Sequence, residues 1–80
     1  KDTSAMIIYI KNERGVAYPL ICYKHDTVED IWKEIQVCTA LSDRSIVGKK
    51  LVSEDGRELN SKDRLGEVVS HFHVVRLLKD

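Results

Sequence analysis

The side chains best suited to chemistry are few and scattered. His71 and His73 lie two residues apart, the spacing of two imidazoles on one strand face and also of two metal ligands. With no third ligand nearby in sequence, the pair reads as solvent-facing and no metal is expected. Cys22 falls at an inward position of an alternating stretch with no motif around it, which suits a small buried hydrophobe better than a nucleophile. Cys38, at the end of a helical pattern, reads the same way, with more room for reactivity if exposed. No Ser, Cys or Thr has a His and a carboxylate at a catalytic spacing, and the four glycines are isolated turn residues rather than a phosphate-cradling loop. No cofactor is implied. The expectation is a binding function and not an enzyme.

Composition narrows the class of partner. Eighty residues exclude a multi-domain enzyme, because two hydrophobic cores cannot be built from so short a chain, while 42% hydrophobic content suffices for one core. Thirteen Lys plus Arg cancel thirteen Asp plus Glu, so no long-range field draws the chain to phosphate backbones or an anionic bilayer. Neither nucleic acid nor a membrane is expected as partner. The longest aliphatic run, Ala5 to Ile8, is far short of a membrane span. Two cysteines are too few for a disulfide-stapled secreted scaffold, which points to a reduced, cytoplasmic and/or nuclear module, monomeric in isolation.

Periodicity supplies the elements. Residues 1–5 are polar at their start and read as a linker, with the domain spanning 6–79. Met6, Ile8 and Ile10 alternate with Ile7, Tyr9 and Lys11, which predicts a strand; Asn12-Glu13-Arg14-Gly15 then predicts a hairpin loop into a second strand, about Val16 to Tyr23. Tyr18, Leu20 and Cys22 are its inward set, and Pro19 must sit where the ladder needs no amide. Thr27 is placed to cap a helix over Val28 to Cys38, with Asp30 at the third helical position and Val28, Ile31 and Ile35 as its apolar stripe. Ser45-Ile46-Val47 and Lys50-Leu51-Val52 are short strand candidates, Ser53-Glu54-Asp55-Gly56 a turn, and the loop through Leu59 and Leu65 has room for one helical turn. His71 to Leu78 is the last strand, expected to set Phe72 and Val74 against His73 and Val75.

A hairpin, a helix across its face and a late strand returning to the first is the order of the β-grasp fold, and the residues carry a closer likeness. The Met-led strand ending at Lys11, Gly15, Asp26-Thr27-Val28-Glu29, Lys33-Glu34-Ile35-Gln36, Gly48-Lys49-Lys50-Leu51, Glu54-Asp55-Gly56-Arg57-Glu58-Leu59 and Ser70-His71-Phe72-His73-Val74-Val75 follow one another as in ubiquitin. The chain thus resembles the ubiquitin family. The resemblance implies an α+β fold with a mixed four- to five-stranded sheet and one helix packed across it. Conjugated relatives end in Gly-Gly, whereas this chain ends Leu77-Leu78-Lys79-Asp80, so the expectation is a non-conjugatable, integral ubiquitin-like domain of a larger protein.

The family's recognition surface is an exposed apolar patch on the sheet, ringed by a His and basic residues. Carried over by motif, it falls on Ile46, Gly48, Lys49, His73 and Val75, with Arg44 and Arg76 at the rim. The register around Ser45 to Val47 is open by one residue, and a slip exchanges Ser45 and Ile46 between faces. Glu13 stands where the family has the apolar loop residue that completes the patch. The implied partner is a ubiquitin-receptor or proteasome-type protein, or a partner domain in the parent protein. Two other β-grasp roles remain open. A Ras-association type would use Lys11, Arg14 and Lys24 at the edge of the second strand to bind a small GTPase, and a PB1 type would pair Lys11 of one copy with Glu54 and Asp55 of another. Trp32, the sole Trp, reads as core or boundary packing before it reads as a partner anchor.

Overall fold

The alternation from Met6 becomes β1 (Ala5–Lys11), which turns back into β2 (Ala17–Tyr23) in a hairpin pairing Met6 with Cys22, Ile8 with Leu20 and Ile10 with Tyr18. The computed structural model describes residues 5–38 and 47–80. In the hairpin loop the Asn12 side-chain oxygen accepts from the amides of Arg14 and Val16 at 3.0 and 2.9 Å, and Gly15 supplies the left-handed step at φ 84°.

Pro19 is accommodated by ladder parity. Tyr9 donates its amide to the His73 carbonyl, on the side of β1 away from β2. Backbone groups of successive strand residues point to opposite neighbours, so Met6, Ile8 and Ile10 bond to β2, and Ala17, Pro19, Ile21 and Tyr23 aim at the open edge of the sheet. Pro19 therefore removes no ladder bond.

The helix α1 (Val28–Val37) starts where the cap residue requires it. The Asp30 carboxylate accepts from the Thr27 amide at 3.0 Å, closing a capping box. Two further first-turn amides, of Val28 and Glu29, donate to the carbonyls of Asp63 and Ser61, so the loop before α2 (Leu65–Val68) satisfies donors that a helix start leaves orphaned. Reciprocally, Leu65 and Gly66 donate to the carbonyls of Asp26 and Lys24. Gly66 sits so close that a Cβ there would lie 2.9 Å from the Lys24 Cβ. The helix buries Val28, Ile31 and Ile35, and half-buried Trp32 packs against the same core.

The chain returns through β3 (Lys49–Val52) and β4 (Val74–Lys79). β4 lies parallel to β1, pairing Tyr9 with Val74, Ile10 with Val75 and Lys11 with Arg76, and antiparallel to β3, pairing Lys50 with Leu78, Leu51 with Leu77 and Val52 with Arg76. The sheet order is β2-β1-β4-β3. Ile8, Ile10, Val28, Ile35, Leu51, Leu65 and Val75 are nearly inaccessible at its centre, each contributing roughly 1.5–3 kcal/mol by burial.

Two strand expectations change. Ser45 and Ile46 lie outside the described residues, while Val47 and Gly48 form a turn and the strand begins at Lys49. The last strand begins at Val74 rather than His71, because Ser70 to His73 forms a turn closed by the His73 amide on the Ser70 carbonyl.

Candidate functional site

The sheet has one face under α1 and one face turned away. Burial of Met6, Ile8, Ile10, Leu20, Cys22, Leu51, Val75 and Leu77 fixes the inner set, so the opposite parity holds Ile7, Tyr9 and Lys11 on β1, Pro19, Ile21 and Tyr23 on β2, Lys50 on β3, and Val74, Arg76 and Leu78 on β4; Val52 shares that parity but is buried, bridged to Glu58. Strand pairing arranges them in rows across the sheet. One row runs Pro19, Tyr9, Val74; the next runs Ala17, Lys11, Arg76, Val52; beyond it stand Leu78 and Lys50. Apolar and basic side chains thus alternate across this face, with the Lys11–Arg76 row lying between the Tyr9–Val74 pair and Leu78.

Val75 does not belong to this face. Expected outward, it is 1% exposed, because the parallel register sets it beside Ile10 on the helix side. A one-residue slip in a strand exchanges its faces, and here it brings Val74, Arg76 and Leu78 outward in place of His73 and Val75. His73, half-buried in the turn before β4, accepts at Nδ1 from the Ser70 amide at 3.2 Å and gives its carbonyl to Tyr9. Arg76 is exposed on the outer face, between Lys11 and Val52. Lys49 shares the parity of Leu51, so Lys50 takes the outward position, and Lys49 stands at the sheet end near Arg14 and Lys79. Gly48 lies in the turn ahead of β3 at φ 73°. Ile46 and Arg44 lie outside the described residues.

The residues missed from sequence are Tyr9, Val74, Leu78 and Lys50. One signal pointed to them: in Val74-Val75-Arg76-Leu77-Leu78 only one parity leaves Arg76 in water, and that parity buries Val75 and Leu77.

The acidic turn beside this face is committed to its own backbone. The Glu54 carboxylate accepts from the Val74 amide at 2.7 Å, and Asp55 accepts from the Ser53 hydroxyl and the Arg57 amide. Those bonds, the Ser53 hydroxyl first, hold the Asp55 carboxyl below its usual range. On the inner side, Cys22 is buried and its thiol is pushed up to about 11, by burial first and the Asp26 charge second. The described residues include no group of three His, Cys, Asp or Glu arranged for a metal ion, and no helix among them is long and apolar enough to cross a membrane.

A mixed four-stranded sheet with parallel first and last strands and a helix across one face is the ubiquitin-like β-grasp fold, of the α+β class. No family model and no curated protein matches this chain. Solved structures do. A de novo designed protein based on ubiquitin superimposes with a TM-score of 0.79 over 96% of this chain and 90% of the designed one, at 17% identity. The likeness is one of fold.

Proposed function

We propose that this chain is a non-catalytic ubiquitin-like interaction domain that presents its outer sheet face to a protein partner in the ubiquitin and proteasome system. The supporting observation is the outward set of Tyr9, Val74 and Leu78 interleaved with Lys11, Arg76 and Lys50. Half-buried apolar side chains on a rigid sheet lose little conformational entropy on binding, and adjacent positive groups steer an amphipathic helix that carries carboxylates.

One observation weighs against the Ras-association role. Edge pairing along β2, as in a Ras-association mode, meets Pro19, which has no amide, and Tyr23, whose amide already donates to Asp26 at 3.1 Å.

The test is an NMR titration of the labelled chain with a ubiquitin-interacting helix, a GTP-loaded Ras-type protein and the chain itself at high concentration. Shifts centred on Tyr9, Val74, Arg76 and Leu78 with the helix support the proposal. Shifts confined to β2 with the GTPase, or concentration-dependent broadening at Lys11 and Asp55, overturn it.

A further inference from the structure

The turn leading into β4 is held by two imidazoles acting as hydrogen-bond acceptors. Nδ1 of His71 accepts from the Ile7 amide at 2.9 Å, and Nδ1 of His73 accepts from the Ser70 amide at 3.2 Å. A ring nitrogen accepts only through a lone pair, so each of these bonds requires an Nδ1 that carries no proton. Between them Phe72 holds φ at 69°, the left-handed region that a bulky aromatic residue occupies only when its surroundings enforce it. The residue is 56% exposed and its ring lies against the His71 ring, so burial does not hold the strained backbone in place. Hydrogen bonds do. The Phe72 amide donates to the Ile7 carbonyl and the His73 carbonyl accepts from Tyr9, which makes this turn the first part of the β1–β4 seam.

We propose that Ser70 to His73 is a proton-sensitive clasp: protonation of His71 and His73 replaces both acceptors with donors and frees the amides of Ile7 and Ser70. The surrounding charges set the direction of opening. His73 shares a shallow recess with Glu54 and Asp55, and His71 shares one with Lys24. A charged His73 ring would share its recess with two carboxylates, and a charged His71 ring would share its recess with Lys24. Opening loosens Ile7, Tyr9 and Val74. The clasp therefore adjusts the outer face, a consequence that rests on the function proposed above, although the clasp itself does not.

The experiment uses the labelled chain alone, so its outcome is independent of any partner. Imidazole nitrogen correlations at about pH 7.5 are expected to show the Nε2–H form of both rings. Lowering the pH to about 5 is expected to cut the exchange protection of Ile7 and Ser70, corrected for intrinsic rates, by about tenfold. Ile31 and Leu51 should keep their protection. The double variant His71→Asn, His73→Asn retains acceptors that do not titrate and is expected to lose the response. An Nδ1–H ring at about pH 7.5, unchanged protection of Ile7 and Ser70 at about pH 5, or a wild-type response in the double variant overturns the proposal.

Discussion

The Glu54 carboxylate closes the β3 side of β4 by accepting the Val74 amide at 2.7 Å, just where β3 ends at Val52 and can pair no further. Glu13 does the same at the other end and on the other side, accepting the Lys79 amide at 3.4 Å. Both are side chains standing in for a missing strand, and both stiffen the strand that carries the outer apolar and basic residues.

Glu54→Ala should therefore weaken the fold by roughly 1 kcal/mol, since the exposed amide it leaves can turn to water. Glu54→Gln, which keeps an acceptor oxygen, should cost less. Urea unfolding followed by circular dichroism compares them, and equal losses in both variants would show that the carboxylate is not acting as the acceptor.

Val75→Asp should fail to fold, with a cost of about 3 kcal/mol or more, because an ionised carboxylate would replace a methyl group pair at the centre of the core. Arg76→Asp, one residue on and exposed, should change stability by less than about 0.5 kcal/mol. Thermal melts of the two variants read the strand register directly. A folded Val75→Asp protein would reverse the inner and outer sets.

Cys22 makes stability fall in alkali. Its folded thiol, raised from 9.0 to about 11, holds its proton more tightly than the unfolded chain does. Below the unfolded value both states are protonated and the contribution is complete. As pH climbs from 9.0 toward about 11 only the unfolded chain ionises, so stability is lost across that window. Urea midpoints near either end should show Cys22→Ala with a shallower decline than the parent chain, and identical slopes would contradict it.

Local rules read well where one residue decides the outcome. Thr27 with Asp30 marked the start of α1, Gly15 marked the hairpin, and the period-2 runs marked β1 and β2, because capping, left-handed backbone and alternation are short-range effects. The last strand read poorly for a physical reason. Apolar doublets at Val74-Val75 and Leu77-Leu78 fit either face by themselves, which left the charge of Arg76 as the one local cue to a register that Ile10 beside Val75 and Leu51 beside Leu77 hold in the fold. The likeness of Ser70 to Val75 to a family segment placed His73 in the strand, and the structure places it in the turn. The site moved with it: Arg76 stayed, Val75 left, and Val74 and Leu78 entered. Glu54 was legible as a turn residue but not as a cap on Val74, a bond spanning 20 positions.

Calorimetric titration of a ubiquitin-interacting helix against the intact chain and three variants tests the outer face most directly. Leu78→Asp and Arg76→Glu each place a negative charge on that face without entering the core, and each should weaken binding at least tenfold, about 1.4 kcal/mol. Val37→Asp, exposed at the end of α1, should bind as the parent does. Undiminished binding by Leu78→Asp and Arg76→Glu, or loss of binding by Val37→Asp alone, would contradict the assignment of the partner to the sheet.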